Sequence, residues 1–336
     1  MKSIRIYLKK LCKTQFFRKF SIVFVMLLMV VLVRAQDAHF SQYYASPIIY
    51  NPAQTGVFPD TDLRVATQYR SQWGTMAPNF SMASFTGEKR INNKYGVGAY
   101  MLNDDGVKSF NTFNFVISGS YLVTSFFEKE MILSVGLQAG MIYKYIKKNA
   151  LSFDSQYING AFNSDLPSGE VIDRYNRLMP EVNLGVNFER TKKEVMFNPY
   201  TSFAIMHCTY PKESFLENGK SRLSPRFILI GGTRVNYNDN LFFDPKILIM
   251  KQSNNYELNI GISSIYNYTP DLAFTGGVSY RLKDAVILMG GCKYKNIMYR
   301  VSYDIVTSSL KTYTRGHGGL EFSVVFMDLG RSGSLL

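Results

Sequence analysis

From about Asp62 to Phe326 the chain is one alternating ribbon after another, with no second long apolar helix after the one near its start. Met131, Leu133, Val135, Leu137, Ala139, Met141, Tyr143 and Tyr145 take every second position. Between them lie mainly small or polar residues: Ser134, Gly136, Gln138, Gly140 and Lys144. Side chains on a strand point alternately to its two faces, so this run builds one greasy wall and one small or polar wall. Leu63-Val65-Thr67-Tyr69 against Arg64-Ala66-Gln68-Arg70 repeats the pattern. So does Ile297-Tyr299-Val301-Tyr303-Ile305 against Met298-Arg300-Ser302-Asp304. A lysine or arginine on the lipid face at mid-bilayer costs about 2–4 kcal/mol, and charges here recur on the other face.

The alternation predicts about fourteen strands, near 62–71, 77–88, 94–104, 109–123, 129–146, 178–189, 196–208, 225–238, 240–252, 255–267, 270–282, 284–294, 296–306 and 316–328. Many reach the roughly 9–11 residues that an oblique crossing needs. In lipid every backbone donor and acceptor needs an internal partner, and an open edge strands a row of them. The expected fold is therefore all-β: a transmembrane antiparallel β-barrel over 62–328, with an irregular segment over 36–61 and a short tail over 329–336. The irregular segment is placed on the periplasmic side or in the lumen. The long links, about 147–177, 209–224 and 307–315, all follow odd-numbered strands. Long outer loops and short periplasmic turns are the usual barrel asymmetry. The run His317 to Phe326 reads as a terminal strand of membrane-assembly type. Glycines at Gly96/Gly98, Gly276/Gly277 and Gly290/Gly291 suit bends in a closed sheet. A soluble sandwich or lipocalin-like barrel is the alternative.

The formal charge of +13 belongs mostly to a leader. Eight of the 38 Lys and Arg lie in residues 1–35, which hold no acid, so the rest of the chain carries 30 basic against 25 acidic residues, about +5. A nucleic-acid partner loses its main support. Residues 1–35 read as a cleaved signal peptide: a basic stretch to Lys19, an apolar core from Phe20 to Val33, and Val33-Arg34-Ala35 before the cut. The core falls short of the roughly 20 apolar residues of a comfortable span. An uncleaved anchor is the alternative. Cys12 lies too early, in too basic a setting, for a lipoprotein cysteine. Cys208 and Cys292 remain in the mature chain, unpaired thiols or a disulfide that export permits.

Chemistry-bearing motifs are sparse. His39, His207 and His317 sit in no metal array, and no nucleophile elbow occurs. Gly316-His317-Gly318-Gly319 precedes a strand rather than a phosphate-cradling helix. The expectation is no enzyme, no cofactor and no metal. The remaining features are for recognition. Phe40-Ser41-Gln42-Tyr43-Tyr44 suits lumen packing or a docking strip. Trp73, the only tryptophan, suits an interfacial belt or a loop contact.

His39-Phe40-Ser41-Gln42-Tyr43-Tyr44-Ala45-Ser46-Pro47, running on to Asn51-Pro52-Ala53 and Gly56, resembles the N-terminal signature of the PorP/SprF family of type IX secretion system membrane proteins. Tyr69-Arg70-Ser71-Gln72-Trp73 resembles its next motif, and Leu133 to Gly140 and Pro245 to Gln252 look familial. The resemblance spans nearly the whole mature chain and is looser at Gly319. It implies an integral outer-membrane barrel serving type IX secretion, in some members gliding motility. Its partners are then secretion components, or the C-terminal domain of a large secreted adhesin, besides outer-membrane lipid. His39, Phe40, Ser41, Gln42, Tyr43, Tyr44, Asn51, Pro52, Tyr69, Arg70, Gln72 and Trp73 are the candidate partner-binding residues. A diffusion porin is the rival function and a barrel enzyme the third.

Overall fold

A computed structural model describes residues 37–328 except 59–60, 75–79, 93, 107–108, 124–130, 148–150, 170–172 and 193. The signal expected over 1–35 and the tail over 329–336 lie outside the described residues. The strands, in chain order, are β1 (Leu63–Gln72), β2 (Phe80–Ile91), β3 (Tyr95–Gly106), β4 (Phe110–Leu122), β5 (Met131–Ile146), β6 (Tyr157–Ile158), β7 (Ala161–Phe162) and β8 (Asn176–Arg190). They continue with β9 (Phe197–Met206), β10 (Arg226–Asn236), β11 (Leu241–Gln252), β12 (Asn255–Thr269), β13 (Leu272–Arg281), β14 (Ala285–Tyr294), β15 (Ile297–Val306) and β16 (His317–Asp328). One short helix, α1 (Lys311–Thr314), lies in the last long link.

β6 and β7 form a small hairpin of their own; the other fourteen strands close into one antiparallel barrel in which each pairs its sequence neighbour and β1 pairs β16. Closure leaves no strand edge for lipid to face, which is the condition for crossing a bilayer with strands. The alternation resolves as the residue pattern requires. In β5, Leu133, Val135, Leu137 and Met141 point outward, while Ile132, Ser134, Gln138 and Ile142 are buried inside. The links of residues 147–175, 207–225 and 307–316 all leave from the end where odd strands finish, whereas no link at the other end is longer than residues 123–130. The first end is therefore the outer one and the second the periplasmic one.

The lumen is not left to water. Residues 38–58 run through it as an irregular strand of chain with two single-turn 3₁₀ elements, Pro47–Ile49 and Pro52–Gln54. Each opens on proline, whose fixed φ and missing N–H suit a first helical position. The direction is set by contacts at both ends. His39 meets Glu257 and Arg281, which border outer links. Arg90, one residue from the inner end of β2, holds the carbonyls of Phe58 and Thr61 at 2.6 and 3.0 Å. The segment thus begins near the outer mouth, descends through the barrel and turns into β1 at the periplasmic end. Phe40, Tyr43, Ile48, Ile49 and Tyr50 pack with inward Met82, Tyr100, Leu102, Ile228, Ile230, Leu248 and Met250 into the main apolar core.

The wall is shaped to receive this plug. Gly96, Ser120, Gly136, Gly185 and Ala204 stand opposite one another across β3, β4, β5, β8 and β9, a row of small residues in register. A β-carbon on Gly96, Gly136 or Gly185 would overlap the plug backbone at Thr55, the backbone at Pro52, or the Asn51 side chain respectively. Gly98 is likewise crowded by Ile48. Gly96 and Gly98 therefore serve close approach of a lumenal segment, where the sequence suggested bends in the sheet.

Two outcomes follow. Gly136→Val forces the plug off the wall, and overpacking of this kind costs about 1–3 kcal/mol; the expected result is a lowered midpoint for loss of the compact, heat-modifiable band on electrophoresis. With Cys208→Ser removing the exposed native thiol, Ala38→Cys is expected to react with a membrane-impermeant maleimide on intact cells, because residue 38 lies at the outer mouth.

Candidate functional site

The upper part of the plug is held by a buried ionic cluster on β1, β12, β13, β15 and β16. Period-two alternation puts Arg70, Glu257, Arg281, Asp304 and Glu321 on inward faces. All five are no more than 9% exposed. Arg70 reaches Asp304 at 2.7 Å and Glu321 at 3.1 Å. Arg281 reaches Asp304 at 2.6 Å and Asp284, at the rim, at 2.6 Å. Two arginines thus offset two interior carboxylates, with His39 and Glu257 paired beside them at 2.8 Å. Charges this deep need both ion partners and hydrogen bonds.

The plug supplies those hydrogen bonds. The Glu321 carboxylate accepts the successive backbone N–H groups of Ser41 and Gln42, at 2.7 and 2.9 Å. Ser41 Oγ donates to Asp304 at 2.9 Å and accepts from Arg70. Gln42 uses its whole amide. Its Nε2 donates to Ser302 Oγ and the Glu321 carbonyl, and its Oε1 accepts from Ser323 Oγ at 2.7 Å. Gln68 in turn donates to the Gln42 carbonyl at 3.1 Å. Bonds to charged acceptors are roughly twice as strong as neutral ones.

Lower down the contacts are neutral. Asn51 Nδ2 donates to the backbone carbonyls of Val186 and Phe203, and its Oδ1 accepts the Ala53 N–H at 2.8 Å, capping the second 3₁₀ turn. Ser134 and Ser120 donate to the Ala53 and Thr55 carbonyls at 2.7 and 2.6 Å, and Gln138 donates to the Ile48 carbonyl at 2.7 Å. Aromatic residues lock the middle. Tyr50 Oη accepts the Phe40 N–H at 2.9 Å, and Tyr43 packs edge-on against both Tyr44 and Tyr50. Lys246 Nζ sits 3.9 Å over the Tyr44 ring, with Arg300 on the same ring at 5.5 Å, a cation–π arrangement.

The structure sorts the candidate partner-binding residues by location. Phe40, Ser41, Gln42, Tyr43, Tyr44, Asn51 and Pro52 lie in the plug, and His39 lies where it starts. Arg70 belongs to the wall that grips them, and Gln72 continues the same inward row. Tyr69 is on the opposite face, half exposed toward lipid. Trp73 follows β1 in a left-handed conformation, with its ring edge-on to Phe80 at 5.1 Å and its backbone N–H donating to the Gly318 carbonyl. The motif 69–73 is therefore divided across the wall. Glu321, Asp304, Arg281 and Glu257 were not among the candidates. Their signal was an acid or arginine at a lumen-facing position of a late strand.

Elsewhere at the outer end, His207 is bonded through Nδ1 to Glu181 at 2.9 Å, and His317 to the Tyr303 hydroxyl at 2.7 Å. Cys208 and Cys292 are unpaired. Among the described residues no group of three His, Cys, Asp or Glu side chains is placed to hold a metal ion.

A closed fourteen-strand barrel with an apolar exterior and a lumen occupied by its own N-terminal segment defines an outer-membrane β-barrel of the plugged kind. The chain belongs to the PorP/SprF family of type IX secretion system membrane proteins, whose pattern matches residues 32–326. It is accordingly an outer-membrane component of type IX secretion. No curated protein matches it by sequence. Among solved structures it is similar to the CymD monoaromatic hydrocarbon channel, at 12% identity and TM-score 0.51 over 84% of this chain and 92% of that one. It is also similar to the Ralstonia pickettii toluene transporter TbuX, at 12% identity and TM-score 0.46 over 84% and 93%. The likeness to the CymD channel concerns the barrel fold alone.

The cluster makes a direct prediction. Arg70→Met leaves Asp304 and Glu321 short of a counter-charge, a loss of about 3–5 kcal/mol for a buried pair. Arg70→Lys keeps the charge but loses the fork geometry, so a smaller loss is expected. Thermal unfolding in detergent micelles reads both.

Proposed function

We propose that this barrel supports export or surface anchoring of a partner protein, with the C-terminal domain of a secreted adhesin as the partner, rather than passing small solutes. The observation that carries this reading is the filled lumen. Inward side chains around the plug, such as Ser134, Gln138, Asn183, Ser302 and Leu248, are 0–1% exposed. A diffusion pore needs a continuous water path, and the plug stands in it. Family membership supports partnership with secretion components. No catalytic step is part of this reading.

Ser41 and Gln42 spend their side-chain hydrogen-bonding groups on the wall, so the partner contact is assigned to the outer loops. The long links brace each other and the strand beneath them: Glu217 N–H donates to Asp173 at 2.6 Å, and Lys144, near the outer end of β5, pairs Glu213 at 3.0 Å. On them stand exposed Tyr157, Ile158 and Phe162 of the β6–β7 hairpin, with Tyr210, Leu216 and Tyr313. Clustered apolar groups facing water mark protein-binding surfaces.

A tagged chain recovered from native outer membranes is expected to carry type IX secretion components or an adhesin; recovery alone argues against the proposal. In planar bilayers the intact chain should be electrically silent. Steady ohmic conductance from the wild type would instead favour the porin.

A further inference from the structure

The small-residue row that admits the plug has a counterpart on the other face. Flanking it outward, Val97, Gly119, Leu137, Leu184 and Ile205 stand opposite one another across the same five strands, and the next outward row includes Tyr95, Tyr121 and Phe203. Together they line an apolar groove of about 850 Å³ on the outside of the barrel. Gly119 leaves open space in this lining, since a β-carbon there would meet nothing within 4 Å. Crossing five strands spans four interstrand spacings of about 4.8 Å, roughly 19 Å. Because barrel strands tilt by about 35–45°, the groove climbs obliquely from the periplasmic edge. That gives it a depth of about one leaflet, half of a ~30 Å hydrocarbon core.

Its lower end is basic. Lys89 faces outward between Leu63 and Val97, and Lys94 lies in the adjoining periplasmic turn. The acids nearby are already taken, Glu88 by Arg64 and Asp62 by Arg90. Among the described residues neither lysine has an acidic partner. Lysines at a membrane edge extend their ammonium groups to the headgroup layer, where they attract anionic lipid.

We infer that this groove is a binding site for an anionic phospholipid of the inner leaflet, one acyl chain lying along Gly119 and the phosphate on Lys89 and Lys94. The groove is continuous with the lipid-facing belt, and the charge at its foot matches the headgroup.

Native mass spectrometry tests this on the full-length protein, stripped by detergent exchange and re-equilibrated with 1-palmitoyl-2-oleoyl-phosphatidylglycerol. The wild type is expected to retain one such lipid under activation that removes the rest. Gly119→Leu puts an isobutyl group into the groove at a position where an added β-carbon meets nothing within 4 Å. It should keep the heat-modifiable barrel and lower retention by about tenfold, as expected when several buried methylenes lose their seat. Lys89→Gln with Lys94→Gln should reduce phosphatidylglycerol retention to that of phosphatidylcholine, leaving the latter unchanged. Unchanged retention in Gly119→Leu, or equal retention of the two lipids by the wild type, overturns the assignment.

Discussion

The carboxylate of Glu321, accepting two consecutive backbone N–H groups from Ser41 and Gln42, is the contact on which the closed interior depends. A barrel of fourteen strands encloses more space than its own inward side chains fill, and that space is lined with groups that demand partners. This chain meets the demand from within. Its N-terminal segment carries backbone donors to Glu321, a hydroxyl to Asp304 and an amide to Ser302 and Ser323. Arg70 and Arg281 then neutralise what the hydrogen bonds leave charged. Take away the segment and two carboxylates and two guanidiniums face an empty bore.

The lower half of the plug depends on shape instead. Backbone lies flat on backbone where Gly96, Gly136 and Gly185 remove the side chains between them, and the serines beside them donate to the plug's carbonyls. The adjoining row points the other way, and there Gly119 leaves the open space in the outer groove. Two neighbouring registers thus serve two surfaces, one glycine-rich toward the plug and one apolar toward lipid.

The barrel was legible in the sequence because it is written locally. Leu133-Val135-Leu137 against Ser134-Gly136-Gln138 declares its two faces within one strand, and neighbouring strands repeat the declaration. The plug's grip was not legible in the same way. Ser41 and Glu321 are 280 residues apart, and nothing near either announces the other. Gly96 looked like a bend because its reason for being glycine, the Thr55 backbone, comes from another part of the chain. Tyr69 and Arg70 belong to one motif, yet alternation sends one to lipid and the other to the ionic cluster. A strip that stands out in sequence can be conspicuous because it holds the molecule's own interior.

The cluster also sits on the seam where the first and last strands meet: Arg70 is opposite Glu321, and Gln68 opposite Ser323. Ser41 and Gln42 bond residues on both sides of that junction. Closing the cylinder and seating its occupant consequently draw on one set of contacts, so a change at either terminus is felt both at the seam and in the bore.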